Sequence, residues 1–397
     1  MDSISPIYPL AKSSWNDDEL RAIERVVKSA NFTMGTEVSE FESDFAKKFG
    51  SDFSVMFNSG SSANLGLLAG LKYMKNSKLN DGDEILVPAV SWSTTYYPIH
   101  QLNMKLSFVD IDLDTLNMDT NRIEEAITPK TKAIFAVNLL GNPCDFEKLN
   151  AIADKYNLLL IEDNCESMGA KYKEKFTGTL GLGGTFSTFF SHHISTMEGG
   201  LVTTNDICLY EAMISLRAHG WLRNLPLYNS VYNKSGDDWE DSFKFVLPGY
   251  NLRPIEMEGA IGKEQLKKID KFLEIRQRNA KFLLKSSERL SNFKFQKEIG
   301  QSSWFGFSII LTNKLMGKRK ELVATLNKAG IESRPVVTGN FTRNPVIQHL
   351  NHVSIPDLPN AELVHDNGLF VGNHHYDLMN EIEVLINSLA SFEVQYG

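Results

Sequence analysis

The stretch LLLIED, Leu158–Asp163, is a short apolar run that ends in two carboxylates and follows the helical pattern PCDFEKLNAIADKY. Four similar apolar runs precede it along the chain: FSVMF (Phe53–Phe57), EILVP (Glu84–Pro88), KLSFVD (Lys105–Asp110) and KAIFAVN (Lys132–Asn138). Short β-type runs that alternate with helical segments predict an α/β fold with a mostly parallel sheet covered on both faces. Ligands of such sheets bind beyond the carboxyl ends of the strands, where we look for a site.

The remainder of the chain predicts a second, smaller domain. A long charged helix is predicted from about Ile261 to Leu290, and it carries the chain away from the sheet. After about Phe293 come the run WFGFSIIL, a helix around Glu321–Ala329 and a terminal helix. We therefore predict a large domain over residues 1–270 and a small C-terminal α/β domain over residues 271–397.

Composition excludes several classes of protein. The net charge of -8 is spread along the 397 residues, so neither a nucleic-acid groove nor a basic membrane surface is expected. The first residues, MDSISPIYPL, lack the features of a signal peptide, and no run approaches the roughly 20 apolar residues of a membrane span. Cys144, Cys165 and Cys208 lie far apart without C-x-x-C spacing, which predicts neither disulfides nor a metal site. We expect a cytoplasmic enzyme.

The segment NSGSSANL, Asn58–Leu65, follows the first apolar run and opens a helix. Its small residues would let backbone amides approach an anion, which the positive end of a helix also favours. Gly60, Ser61 and Ser62 are therefore candidates to bind a phosphate. The alternative is an ordinary strand-to-helix turn with a serine N-cap.

Two further strand ends carry candidate ligand-binding residues. Asp163, at the end of LLLIED, could stabilise a protonated ring nitrogen of a pyridinium cofactor, or it could cap a helix. Trp92, in VSWSTTYYP after the second run, could stack on a flat ring, although tryptophan at a strand end is often part of the core.

Five segments occur in a fixed order along the chain: NSGSSAN, VSWSTTYYP, IEDNCESMGAKY, FSTFFSHHISTMEGG and PGYNLRPIEMEGAIG. In order and spacing they resemble the nucleotide-sugar aminotransferase family, over nearly the whole chain. The resemblance implies an aspartate-aminotransferase-like fold of type I, with a large seven-stranded, mostly parallel sheet. It also implies pyridoxal phosphate as cofactor and a homodimer whose active sites lie between the subunits.

The resemblance also implies roles for individual residues. It assigns the cofactor phosphate to Gly60, Ser61 and Ser187, and, from the neighbouring subunit, to Asn251. It sets Trp92 over the pyridine ring and Asp163 against the ring nitrogen. His192 aligns with the lysine that binds the cofactor covalently in the aminotransferases.

This chain departs from the aminotransferase pattern at that lysine. His192 replaces it, and no lysine occurs between Lys175 and Lys234. Glu166 stands where the aminotransferases carry a glutamine beside the ring hydroxyl. Loss of the lysine from an otherwise intact site argues for altered chemistry rather than for a dead enzyme.

The pattern is similar to the lysine-less branch of the family, the 3-dehydratases of 4-keto-6-deoxy sugar nucleotides. This similarity implies a lyase that removes the hydroxyl at carbon 3 of a GDP-linked sugar and releases ammonia. It implies pyridoxal or pyridoxamine phosphate bound without a covalent link, with L-glutamate restoring the amine. The product is a 4-keto-3,6-dideoxy sugar.

His192 is the predicted base, because imidazole, with a pKa of about 6.5, accepts a proton near neutral pH. The alternative for the pair of His192 and His193 is that one packs and the other caps a turn, and His193 has no assigned role. His219, in RAHG, could support proton transfer or lie exposed on a helix, and Ser191 could orient the base or the leaving hydroxyl. Glu166 could accept a hydrogen bond from the ring hydroxyl or could be a surface carboxylate.

The sequence gives a weaker indication of how the nucleotide of the substrate is bound. Arg334 and Arg343, in SRPVVTGNFTRNPV, could pair with the pyrophosphate, or they could be surface residues of the small domain. Three other functions remain open: a CDP-sugar dehydrase with an iron–sulfur cluster, a nucleotide-sugar 4-aminotransferase, and a sensor that binds cofactor or sugar nucleotide without catalysis. The first needs clustered cysteines, which the chain lacks.

Overall fold

The computed structural model describes residues 6–397; residues 1–5, which begin the stretch examined above for a signal peptide, lie outside the described part. The strands are β1 (Phe53–Phe57), β2 (Glu84–Pro88), β3 (Lys105–Val109), β4 (Thr131–Val137), β5 (Leu159–Asp163), β6 (Lys171–Tyr172), β7 (Lys175–Phe176), β8 (Gly183–Ser187), β9 (Gly200–Thr204), β10 (Phe293–Phe295), β11 (Gly306–Leu311) and β12 (Gly368–Gly372).

The helices are α1 (Asp17–Ser29), α2 (Thr36–Phe49), α3 (Gly60–Tyr73), α4 (Ser93–Gln101), α5 (Phe146–Tyr156), α6 (Ile207–Arg217), α7 (Asp238–Ser242), α8 (Glu256–Leu266), α9 (Ile269–Ser287), α10 (Arg319–Lys328), α11 (Pro359–Asn367) and α12 (Met379–Tyr396). Among the described residues, none of these helices combines the length and the apolar character needed to cross a membrane.

Seven strands form the large sheet, in the order β1-β9-β8-β5-β4-β2-β3. β9 runs antiparallel to both of its neighbours, β1 and β8, and the pairs from β8 to β3 are all parallel. The predicted seven-stranded, mostly parallel sheet is confirmed. Because all strands but β9 point the same way, their carboxyl ends meet at one edge of the sheet.

Helices cover both faces of this sheet, as the continuous apolar runs of the strands predict. Along β2, Ile85 and Val87 pack into the cluster that contains α3 and α6, whereas Leu86 packs into the cluster that contains Phe146 of α5. Successive side chains point to opposite faces of a strand, so a run that is apolar at every position is buried on both sides.

The C-terminal part of the chain builds a separate three-stranded antiparallel sheet, in the order β10-β11-β12. Its core joins this sheet to α9, α10 and α12 through residues such as Leu283, Leu322 and Leu385. We propose the domain boundary at residue 270, which falls at the start of α9.

The prediction of one continuous helix over Ile261–Leu290 is wrong. The structure has two helices, because α8 ends at Leu266 and α9 begins at Ile269. At the break Lys268 donates its Nζ to Glu19 on α1, at 2.6 Å. The Lys268 N–H donates to the Gln265 carbonyl at 3.0 Å, and no glycine or proline marks the break in the sequence.

Candidate active site

Three strand ends bring the predicted cofactor residues to one edge of the large sheet. Asp163 ends β5, Ser187 ends β8, and the turn before α3 follows β1. Gly200 of β9 pairs with Ser187 on one side and with Phe57 on the other. A Cβ at Gly200 would lie 2.3 Å from the Ser59 carbonyl oxygen, so the turn closes directly over this glycine.

The turn before α3 contacts the end of β8. A Cβ on Gly60 would lie 2.7 Å from Cβ of Ser187 and 3.0 Å from its Oγ, so only glycine permits this approach. Ser59 is the N-cap of α3 and accepts a hydrogen bond from the Ser62 N–H, at 3.1 Å. Ser61 donates its hydroxyl to Thr94, at 3.0 Å. The predicted serine N-cap is therefore Ser59, which binds the Ser62 N–H. Gly60, Ser61 and Ser187 form a small polar surface at the N-terminus of α3, where an anion would be favoured.

Asp163 is buried, and its carboxylate is held by three donors. Oδ2 accepts hydrogen bonds from Asn64 Nδ2, at 2.9 Å, and from Thr95 Oγ1, at 2.7 Å. Oδ1 accepts from the backbone N–H of Cys165, at 3.2 Å. Asn64 is itself fixed by Thr185, whose Oγ1 donates to Asn64 Oδ1 at 2.7 Å. These hydrogen bonds fix the orientation of the Asp163 carboxyl group at the end of β5.

Trp92 is not a core residue, because its side chain is 56% exposed. It precedes α4, and its carbonyl accepts the N–H of Thr95, at 3.1 Å. Since the Thr95 hydroxyl donates to Asp163, one threonine joins the two residues predicted to contact the ring. An exposed indole beside a buried carboxylate fits a flat aromatic cofactor.

His192 is half-buried against two phenylalanines. Its ring lies 5.1 Å from Phe305 and 6.1 Å from Phe189, measured between ring centroids. Its Nδ1 is buried and has no hydrogen-bond partner among residues 6–397. Burial, with a smaller contribution from the Arg276 charge, lowers the pKa of His192 to about 4. The imidazole is therefore neutral near pH 7, as a general base must be.

His193, which the sequence left without a role, is a packing residue. It is 1% exposed, and its Nε2 lies 3.1 Å from the Ser303 carbonyl oxygen. Burial, followed by the charge of Arg276, lowers its pKa well below the ordinary value. Ser191, on the other side of His192, is half-buried.

Glu166 is half-buried rather than a surface carboxylate. Its Oε2 accepts the backbone N–H of Leu140, at 3.0 Å. Burial raises the pKa of Glu166 to about 7; the hydrogen bond from Leu140 partly offsets this rise and the nearby Asp163 adds to it. Near neutral pH the side chain can thus be a donor or an acceptor.

His219 and Asn251 lie together, next to the turn before α3. His219 has left-handed backbone, with φ of 63°, and its ring packs on Trp221 at 4.5 Å. Asn251 is exposed and accepts a hydrogen bond from Arg253 Nε, at 3.0 Å. The next residue, Leu252, accepts the backbone N–H of Asn58, at 3.0 Å. Asn251 is therefore accessible at the surface.

The two predicted pyrophosphate residues, Arg334 and Arg343, are exposed residues of the segment that contacts the loop before α4, where the Thr338 hydroxyl donates to the Ser91 carbonyl at 2.7 Å. Arg343 forms ion pairs with Glu362, at 3.1 Å, and with Asp366, at 2.8 Å. These carboxylates neutralise its charge, which favours the alternative of a surface residue. The side chain of Arg334 is exposed, and its backbone pairs with Phe370.

Several site residues had no signal strong enough to identify them from the sequence. Asn64 and Thr95, which donate hydrogen bonds to Asp163, lie inside the segments NSGSSAN and VSWSTTYYP. In the sequence their role was indicated only weakly, by a polar residue one turn into a helix. Arg276 and Phe305, which face His192, come from a distant part of the chain.

Comparison with known proteins shows the family of this chain. Residues 14–389 match the DegT/DnrJ/EryC1/StrS aminotransferase family. The chain belongs to this family. It is 52% identical over 380 residues to GDP-4-keto-6-deoxy-D-mannose 3-dehydratase of Escherichia coli O55:H7, covering 95% of this chain and 98% of that protein. It is also 52% identical over 384 residues to the protein of the same name from Yersinia pseudotuberculosis, covering 96% and 98%.

Solved structures of such proteins share the fold. The chain is similar to the E. coli 3-dehydratase with bound hydrated PLP, with a TM-score of 0.95, 51% identity, and coverage of 97% of this chain and 100% of that one. A 3-dehydratase structure with a trapped PLP–glutamate geminal diamine gives a TM-score of 0.94, 52% identity, and coverage of 96% and 100%. A histidine-to-asparagine variant with bound GDP-perosamine gives the same four values: 0.94, 52%, 96% and 100%.

Proposed function

We propose that this protein is a pyridoxal phosphate-dependent 3-dehydratase of a nucleotide-linked 4-keto-6-deoxy sugar, with GDP-4-keto-6-deoxy-D-mannose as the substrate. It removes the hydroxyl at carbon 3, releases ammonia and leaves the 4-keto-3,6-dideoxy sugar. The 52% identity to two proteins named for this reaction supports the assignment. A cytoplasmic location is part of the proposal, supported by three free cysteines, as expected in a reducing compartment.

The observation that carries the proposal is His192, a half-buried histidine in the segment where the family resemblance expects the cofactor lysine. His192 lies beside Phe305, and the stretch from Lys175 to Lys234 offers no lysine as a substitute. An ordinary aminotransferase requires the covalent lysine. A related structure that binds GDP-perosamine also carries its change at a histidine.

The residues present fit pyridoxal or pyridoxamine phosphate bound without a covalent link. Gly60, Ser61 and Ser187 would hold its phosphate, Trp92 would cover its ring, and Asp163 would pair with its ring nitrogen. Glu166 would accept a hydrogen bond from its ring hydroxyl. When bound, the pyridoxamine form supplies an amine that condenses with the sugar's keto group and a ring that takes up electrons.

In this scheme His192 moves the proton that the reaction requires. Its neutral imidazole accepts a proton and returns it, and it forms no covalent link with a carbonyl carbon. Phe305 and Phe189 pack against its ring, with centroids 5.1 Å and 6.1 Å away. Ser191 orients the base or the leaving hydroxyl, and His219 supports proton transfer.

The amino donor and the nucleotide complete the proposal. We infer L-glutamate as the donor, since a related structure holds a PLP–glutamate adduct. For the pyrophosphate we propose Arg334, which is exposed; Arg343 remains a weaker candidate because two carboxylates pair with it. The assignment of GDP as the nucleotide is supported by the names of the two relatives that are 52% identical.

We also propose a homodimer with shared active sites. Trp239, Phe243 and Phe245 are 78%, 63% and 61% exposed, and they lie on one segment close in sequence to the exposed Asn251. Exposed aromatic residues clustered in this way are typical of protein–protein interfaces. Light scattering at several concentrations tests this, with Phe243→Ser expected to shift the mass toward the monomer.

The test of the function begins with the purified protein, pyridoxal phosphate and L-glutamate, followed by absorbance. We expect conversion of the aldehyde band to the pyridoxamine band, with formation of 2-oxoglutarate. Addition of GDP-4-keto-6-deoxy-D-mannose should then release ammonia.

Each other outcome selects a different function. A stable amino sugar without ammonia would indicate a 4-aminotransferase. No spectral change with glutamate would indicate a non-catalytic sensor or a reductase-dependent dehydrase. Ammonia release from CDP- or dTDP-linked substrates alone would overturn the GDP assignment but keep the reaction.

A further inference from the structure

Arg276, on α9, is a buried cation without a carboxylate partner among residues 6–397. It is 4% exposed, and its Nη1 donates to three backbone carbonyls, those of Asn373 at 2.7 Å, Phe305 at 3.2 Å and Trp304 at 3.3 Å. Its Nε is also buried and has no partner in this part of the chain. Burying an unpaired charge is unfavourable, and burial lowers the pKa of Arg276 to about 10. Such an arrangement calls for a functional reason.

Two of the three carbonyls that Arg276 binds, those of Trp304 and Phe305, belong to a strained turn, Ser303–Phe305. Trp304 has left-handed backbone, with φ of 47°. The turn pairs with a second left-handed segment, in which Leu140 has φ of 53° and Gly141 has φ of 98°. Phe305 N–H donates to the Leu140 carbonyl at 3.0 Å, and Ser303 N–H donates to the Gly141 carbonyl at 2.9 Å. Non-glycine residues keep such a conformation only where the surroundings enforce it, and Arg276 supplies part of that support.

This turn is the surface on which the two histidines rest. The Phe305 ring lies 5.1 Å from that of His192 and 5.8 Å from that of His193. The Ser303 carbonyl contacts His193. In addition to burial, the Arg276 charge lowers the pKa of His192, and it also lowers the pKa values of His193, His374 and His375. His192 itself makes a smaller contribution to the lowered pKa of His193.

We propose that Arg276 is a positioning residue for His192: it clamps the Ser303–Phe305 turn so that Phe305 orients the imidazole. Burial lowers the pKa of His192, and the Arg276 charge adds a smaller contribution. The inference rests on the proposed role of His192 as the base. Arg276 touches neither the base nor the expected cofactor residues, and it acts through the turn. Geometry and charge make two separate contributions, which two substitutions can distinguish.

The test compares Arg276→Met, Arg276→Lys and the matched control Arg278→Met. Arg278 lies two residues further along α9, is exposed and pairs with Asp377 at 3.1 Å. The first readout is histidine NMR of the cofactor-free protein across pH, with His192→Asn identifying the resonance. Arg276→Met should raise the pKa of His192, Arg276→Lys should leave it low, and Arg278→Met should not change it.

The second readout is the pH profile of ammonia release by the loaded enzyme. Arg276→Met and Arg276→Lys should both lower kcat, by on the order of tenfold to a hundredfold, because the clamp is lost. Only Arg276→Met should also move the acid limb of the profile to higher pH. KM should change little, since Arg276 touches no predicted substrate residue.

Two results would overturn the inference. If Arg276→Met folds and the pKa of His192 is unchanged, the electrostatic contribution is excluded. If Arg276→Lys keeps the wild-type kcat, the clamp is excluded. If Arg276→Met does not fold, Phe305→Leu replaces it, and an unchanged kcat in that variant counts against the clamp. Should the wild-type enzyme release no ammonia, the proposed function fails, yet the NMR titration still decides whether Arg276 controls His192.

Discussion

The backbone N–H of Leu140 donates a hydrogen bond of 3.0 Å to the Glu166 carboxylate, and the carbonyl of the same residue accepts from Phe305. One left-handed residue therefore links the carboxylate beside the expected ring hydroxyl to the ring that faces His192. Any displacement of this peptide would disturb both sides of the site together.

Glu166→Gln should change how the stability of the cofactor-free protein depends on pH. The pKa of Glu166 is raised from 4.5 to about 7, so its protonated form contributes stability that is full below pH 4.5 and is lost as the pH rises through 7. Glutamine keeps an acceptor for Leu140 and does not titrate. Urea unfolding at pH 5 and pH 8 should therefore show the variant gaining free energy of unfolding relative to the wild type at the higher pH.

Glu383→Gln, on the exposed side of α12, serves as the control for that measurement. If the free energy of unfolding differs between Glu166→Gln and the wild type by the same amount at both pH values, the Glu166 carboxyl does not titrate between pH 5 and pH 8.

His192→Asn should abolish ammonia release while the protein remains folded and binds cofactor. Asparagine preserves a polar side chain of similar size but cannot accept a proton as a base does, and loss of a general base lowers rates by about 10²- to 10⁴-fold. Steady-state ammonia assays measure this, with circular dichroism to check folding. His349→Asn, at an exposed position, is the control and should keep wild-type activity. If His192→Asn retains more than about a tenth of wild-type activity, His192 is not the base.

Asp163→Asn should weaken cofactor binding by about tenfold to a hundredfold. A hydrogen bond to a charged group is worth about 1.5–3 kcal/mol, and asparagine removes the charge without removing the volume. Equilibrium dialysis or fluorescence titration with pyridoxal phosphate gives the dissociation constant. Asp270→Asn, in an exposed ion pair with Lys48, should bind as the wild type does; equal weakening in both variants would point to a nonspecific effect.

Gly60→Ala should destabilise the fold and impair cofactor binding, because the new Cβ would lie 2.7 Å from Ser187 Cβ. Overpacking of this kind costs about 1–3 kcal/mol. The double variant Gly60→Ala with Ser187→Gly removes the clash, so it should recover the free energy of unfolding measured in urea but not the affinity for pyridoxal phosphate. Recovery of both would show that Ser187 does not bind the phosphate.

The sequence predicted the elements that depend on local pattern. The five apolar runs correspond to β1 to β5, and the residues after them reach one edge of the sheet, as parallel strands require. The order of the five segments predicted the family, and the missing lysine drew attention to His192. These features depend on residues close together in the chain or on a pattern shared by the family.

Tertiary structure decided which side chains complete the site. For Arg343, a sequence candidate for the pyrophosphate, the fold supplies two carboxylate partners, Glu362 and Asp366. Arg276 looked like one of several basic residues on a charged helix, yet it is buried beneath the turn that faces His192.

The physical reason is the range of the interactions. Apolar periodicity and glycine-rich turns act over a few residues, so a sequence displays them directly. Burial of a charge, and the choice of the carbonyls or carboxylates that satisfy it, depends on segments far apart in the chain, such as Arg276 with Asn373 or Leu140 with Phe305. Those partners meet only when the two sheets pack together, so the neutral state of His192 is a property of the folded protein.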